Sequence, residues 1–186
     1  PRVDWDSAGN RLGLLVEEQR TNLVTHSDLD GANPTGWTTF SLGGTRTATT
    51  LYGLPAIRFQ ATDERPLLQL PLTLSASTTY TMSCYIENTG GTTEKVLELN
   101  SITGITGDQI IYSTHGDSKG YASVTFTTGT DTSGYLRIGL GTGGSATGDV
   151  TITAIQIEEG SFGTSYIWTT GSTATRSADV ASIPVA

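Results

Sequence analysis

A chain of 186 residues with 35% hydrophobic and 15% charged residues can bury one hydrophobic core and leaves no room for a second large domain. Its 23 glycines and heavy threonine content take the place of the Ala, Leu, Glu and Lys of long helices, which excludes a helical bundle or coiled coil. With 18 acids against 10 bases, a net charge of -8 and no Lys/Arg cluster, nucleic acid and anionic membrane surfaces are poor partners.

In chain order, the stretch from Pro1 to Thr21 mixes turn residues with a short apolar run, Leu12 to Val16, and predicts a brief strand. Because residue 1 is Pro, a piece of a longer polypeptide is expected. Asn22 to Gly36 is rich in turn signals, Asp28-Leu29-Asp30-Gly31 and Asn33-Pro34, ahead of Trp37. Period-two alternation follows. Ile57 and Phe59 alternate with Arg58 and Gln60 over Ala56 to Ala61, and Tyr80, Met82, Cys84 and Ile86 with Thr81, Ser83, Tyr85 and Glu87 over Tyr80 to Asn88. Further strands are predicted at Glu94 to Leu99, Gln109 to Ser113, Tyr121 to Thr127, Tyr135 to Leu140 and Val150 to Ile157. Short alternating runs between Gly, Asp, Asn and Ser clusters predict an all-β protein, an antiparallel β-sandwich of jelly-roll type. The expected organisation is one module over 1–170 and a C-terminal extension or linker over 171–186. Trp37, Phe162 and Trp168 are expected as core or lid anchors, and Cys84, the only cysteine, as a buried small hydrophobe that forms no intrachain disulfide. No run approaches the roughly 18 apolar residues of a spanning helix.

Chemistry is sparse. His26, in Thr25-His26-Ser27-Asp28, and His115, in Thr114-His115-Gly116-Asp117, are the ready general bases, and both read as turn or loop residues, because catalytic triads are assembled from separated segments. Adjacent acids on a strand point to opposite faces, so neither Glu17-Glu18 nor Glu158-Glu159 forms a catalytic pair by itself. Glu17, Asp28, Asp30 and Glu158 could instead meet around a structural calcium ion, the alternative being solvated acids or turn caps. Aromatic residues offer a second lead, because sugar rings present apolar C–H faces that stack on them while polar neighbours bind the hydroxyls. Alternation points Tyr85, Glu87, Tyr135, Arg137, Arg58 and Gln60 outward. If their strands are neighbours, these six form one polar-aromatic surface suited to a glycan, to a subunit interface, or to nothing beyond cross-strand pairing.

Two segments resemble a known module. Gly13-Leu14-Leu15-Val16-Glu17-Glu18-Gln19-Arg20-Thr21-Asn22-Leu23 stands near the start, and Gln156-Ile157-Glu158-Glu159-Gly160-Ser161-Phe162-Gly163-Thr164-Ser165-Tyr166-Ile167, then Thr173-Ala174-Thr175-Arg176-Ser177-Ala178-Asp179, near the end. They resemble the opening and closing brackets of a β-sandwich module that recurs in bacteriophage and prophage fibre or tailspike proteins, with Trp168 where the closing string has Pro and Ser177 where it has Ala. Asn33-Pro34 to Trp37 and Tyr80 to Glu87 are also similar to jelly-roll carbohydrate-binding modules. The resemblance implies a non-catalytic adhesion module in the virion, in a tail or head fibre, binding host surface glycan and assembling as a homotrimer. Its alternative is a structural connector or trimerisation module without a ligand. No cofactor is required, and calcium is the one candidate ion. The resemblance assigns no sugar-contacting residue, so the glycan surface rests on alternation.

Overall fold

Thr79–Asn88 sets the plan: Tyr80, Met82, Cys84 and Ile86 are buried in the core, while Tyr85 and Glu87 on the opposite face are partly exposed. The computed structural model describes residues 2–5, 10–107, 109–114, 119–141 and 145–180. Its strands are β1 (Arg2–Trp5), β2 (Arg11–Leu15), β3 (Arg20–Asn22), β4 (Thr38–Leu42), β5 (Thr45–Leu51), β6 (Leu54–Glu64), β7 (Pro66–Thr73), β8 (Thr79–Asn88), β9 (Lys95–Asn100), β10 (Thr106–Gly107), β11 (Ile110–Tyr112), β12 (Lys119–Thr127), β13 (Ser133–Gly139), β14 (Ala146–Glu159) and β15 (Ala174–Arg176). A six-stranded sheet, ordered β10-β12-β8-β14-β6-β5, packs on a five-stranded sheet, ordered β11-β9-β13-β7-β4, and every pairing is antiparallel. The fold is the expected antiparallel β-sandwich.

The core lies between the two sheets. Ile57, Phe59, Met82, Cys84, Ile86, Val150, Ile152 and Ile157 come from one, and Leu68, Leu70, Leu72, Leu97, Leu99, Leu136 and Ile138 from the other. Burial pushes the Cys84 thiol pKa up, so it stays protonated, as a buried hydrophobe should.

Strand β14 breaks simple alternation. Thr153 pairs with Tyr85 but Gln156 pairs with Ser83, so one residue is extra, and Ala154 there has a φ of 53°. This bulge lets Ile152 and Ile155 both face the core.

Several elements differ from expectation: β1, β2 and β3 stand where one brief strand was expected, and β10 and β15 were not expected. β4, β5 and β7 lie in stretches whose sequence shows no alternation; β7 carries Pro66 and Pro71. Both prolines fit, since Pro66 opens the strand and Pro71 lies beyond the Thr38–Gln69 end of the β4 pairing. Residues past 170 belong to the module's contacts: β15 pairs with β3, and Asp179 N donates to Glu17 O at 2.8 Å. Trp37 is buried as expected, whereas Phe162 and Trp168 are exposed.

Candidate functional site

The six residues nominated for one glycan surface fall on two. Tyr85, Glu87, Arg58 and Gln60 lie on the outer face of the six-stranded sheet, whereas Tyr135 and Arg137 lie on the outer face of the five-stranded sheet, across the core. The expected single surface is therefore corrected: β13 is a neighbour of β7 and β9, not of β6 or β8.

On the six-stranded sheet, Tyr85 is the middle of three tyrosines. Register sets it opposite Tyr121, with ring centroids 5.6 Å apart, and Tyr52 from the β5–β6 turn packs on it at 5.1 Å. The Lys119 ammonium sits 5.4 Å from the Tyr52 ring centroid and bonds Glu87 at 2.7 Å. Beside them Arg58 grips Asp149 with two donors, Nε at 2.8 Å, and Gln60 Nε2 adds a third at 3.0 Å. The hydrogen bond and charge of Arg58 hold the Asp149 carboxyl below the usual carboxylate range. On this face the charged groups answer one another.

The five-stranded face is different. Thr38, Gln69, Arg137, Glu98 and Ile110 stand directly opposite one another in a row across β4, β7, β13, β9 and β11. Gln69 Oε1, Arg137 Nε and Glu98 Oε2 are shielded by protein yet have no hydrogen-bond partner. Burial lowers the Arg137 pKa, and the Glu98 charge opposes that shift. A bulge in β4 between Thr39 and Ser41 places Phe40 so that the Arg137 guanidinium lies 3.7 Å from its ring centroid. Phe40 and Tyr135 are 42% and 36% exposed, so aromatic surface lies beside polar atoms with unused bonding capacity.

The four acids nominated for calcium do not converge. Glu17 Oε1 accepts from Ser165 N at 2.7 Å, and its other oxygen pairs with Arg176 at 3.2 Å. Glu158, fully buried, accepts from Thr164 N at 2.6 Å and Thr164 Oγ1 at 2.9 Å, and from Gln156 Nε2. Asp30 accepts from Thr35 N at 3.4 Å, and Asp28 is buried elsewhere in the turn region. Among the described residues no group of three or more His, Cys, Asp or Glu is placed to hold a metal. The shared calcium site is thus corrected: Glu17 and Glu158 are structural acceptors.

What they build is a clasp between the bracket motifs. Asn22, fully buried, donates to Ile155 O and Ile167 O at 3.2 and 2.9 Å and accepts from Val24 N and Ile157 N at 3.1 and 3.2 Å. Gln156 Oε1 takes Ile167 N at 2.7 Å, and Arg176 Nη1 gives to Ser165 O at 3.0 Å. The segment after Gly160 thereby covers the outer face of β14 where it is polar. His26 belongs to the same clasp. Its backbone bridges Thr170, its ring fills the space a side chain at Gly36 would need, and Ser27 Oγ bonds Tyr166 and Thr169 at 2.7 and 2.8 Å. His115 lies outside the described residues.

Sequence reasoning missed Tyr52, Lys119, Tyr121 and Asp149 on one face and Phe40, Gln69 and Glu98 on the other. Alternation along β12 could have found Tyr121 and Lys119. No alternation points to Tyr52 in its turn or Phe40 in its bulge.

No family model matches the chain, and no curated protein matches it. Among solved structures it is similar to the CBM22-1 xylan-binding domain of Paenibacillus barcinonensis Xyn10C, at 16% identity and a TM-score of 0.45, over 75% of this chain and 92% of that one. It is also similar to the CBM22-1–GH10 modules of Clostridium thermocellum endo-1,4-β-D-xylanase 10B in complex with xylohexaose, at 12% identity and a TM-score of 0.46, over 81% of this chain and 30% of that one.

Proposed function

We propose that the chain is a non-catalytic carbohydrate-binding and adhesion module of a bacteriophage fibre or tailspike protein, which holds host surface polysaccharide on the outer face of its five-stranded sheet. The observation that carries the reading is the row of Gln69, Arg137 and Glu98, whose shielded polar atoms lack partners beside the exposed rings of Phe40 and Tyr135. Buried polar atoms without partners are costly, and a small rotation of these outer-face side chains would present them to sugar hydroxyls. With strands about 4.8 Å apart, the row spans about 10 Å, the length of a disaccharide. The phage context, the virion location and the homotrimer come from the bracket motifs.

Titrating host capsular polysaccharide and neutral oligosaccharides into the module tests this. Millimolar to micromolar binding is expected, with Arg137→Ala weakening it about tenfold, as loss of one bond to a charged group does. Unchanged affinity in a Gln69→Ala/Arg137→Ala double variant would sink the face. No binding at millimolar sugar would sink the function, and shortening of the polymer would make the chain an enzyme.

A second reading, a connector or trimerisation module, is favoured by Leu42, 82% exposed beside Phe40 on the edge strand β4. Sedimentation and the sugar titration together decide it: a trimer dispersed by Leu42→Asp, in a module that binds no sugar, supports the connector.

A further inference from the structure

We propose that the module carries a second carbohydrate-binding surface, the ridge of Tyr52, Tyr85 and Tyr121 on the opposite face, and so binds two glycan segments at once. The inference rests on the glycan reading above and adds valency to it.

The first observation is a backbone choice. Tyr52 and Gly53 are the central residues of the two-residue turn closing β5 onto β6, with φ of 53° and 77°. Such a turn needs positive φ at both positions and favours Asn-Gly, and an aromatic residue there is a conformational outlier. Burial does not account for it, because Tyr52 is 54% exposed. What the position gives is a ring extending the ridge beyond Tyr85, and strain of this kind gathers at ligand sites.

The second observation is how the ridge is held. Tyr121, 42% exposed, is seated through its hydroxyl, which lies where a side chain at Gly163 would fall. Interplanar angles of 59° and 65° turn each ring against the next, giving a facetted ridge rather than a flat plate.

The third is what surrounds it. Lys119 is bonded to Glu87, and Arg58 and Gln60 to Asp149, so the rim is polar but internally compensated. A compensated rim suits a neutral ligand with apolar faces. Three tyrosines fall well short of the roughly 800 Å² per partner of a stable protein interface, whereas a pyranose ring covers one aromatic side chain. The sandwich then separates the two surfaces by its core, about 10 Å thick, so a short oligosaccharide on one face does not reach the other.

Calorimetry of the intact chain with linear neutral hexasaccharides of glucose, mannose and xylose tests the inference. Two molecules bound per chain are expected, falling to one in Tyr52→Asn/Tyr121→Ala, where Asn suits the turn, and to one in Gln69→Ala/Arg137→Ala. The corresponding long polymers should be cross-linked into turbid aggregates by the wild-type chain and by neither variant. One site lost only in the Gln69/Arg137 variant overturns the second surface and leaves the glycan reading standing. One site lost only in the tyrosine variant overturns both the row and the two-site inference. No binding overturns both.

Discussion

Asn22 is the residue on which the clasp turns. Its side chain satisfies two backbone carbonyls and two backbone amides in a site without water access. Removing it orphans those groups, each costing about 1–3 kcal/mol, so Asn22→Ala should destabilise by about 4 kcal/mol or more in urea unfolding while leaving glycan affinity unchanged. Two carboxylates respond to acid in opposite senses. The Asp149 pKa is lowered in the fold, so its contribution is present above the unfolded value near about 4 and is lost as pH falls through the folded one. Burial raises the Glu158 pKa despite its bonds from Thr164, so its charged form costs stability at neutral pH, a cost relieved as pH falls through the folded value. Asp149→Asn should therefore flatten the loss of stability below about pH 4, measured by thermal melts across pH.

Among elements, β14 carries the most. Its bulge at Ala154 takes up the one residue that would otherwise put Ile152 and Ile155 on opposite faces, so deleting Ala154 restores plain alternation and leaves Ile155 opposite Cys84 and Ile157 in the core. The expected outcome is a chain that keeps a cooperative melt and its near-ultraviolet circular dichroism, whereas inserting a second residue after Ala154 would turn Ile155 and Ile157 outward and abolish both. Arg176, next in importance, answers a nearly buried Glu17. Arg176→Ala should cost about 2 kcal/mol, or about 6 °C in Tm, by leaving that charge without its cation. Of the strands legible in the sequence, β6, β8, β9, β11, β12, β13 and β14, those such as β6, β12 and β13 bury one face and so alternate. β5 was not legible because it is a threonine-rich edge strand with little to bury, and β7 because its leucines run together and its prolines read as breaks. The candidate surfaces were half legible for the same reason. Alternation gives the direction of Arg137 and Tyr85 but not their sheet, which is set by the strand order β11-β9-β13-β7-β4. A bulge and a tight turn, which place Phe40 and Tyr52, leave no periodic trace.

At the scale of the molecule, two of the four acids that read as calcium ligands, Glu17 and Glu158, spend their oxygens on the clasp, and Asp28 and Asp30 lie apart from them. Melting with and without a chelator is expected to give one midpoint, and a drop of several degrees on chelation would restore an ion to the fold. The clasp also fixes how the chain enters and leaves. β3 and β15 run antiparallel with Arg20 opposite Arg176, and Glu17 meets Asp179 just outside that pair, so both flanking directions of chain leave from the same end of one short ladder. Tension applied through the two ends would not shear the sandwich. It would open the ladder like a zip, one rung at a time, from Glu17 and Asp179 inward, lengthening the chain while the two sheets and their faces stay closed.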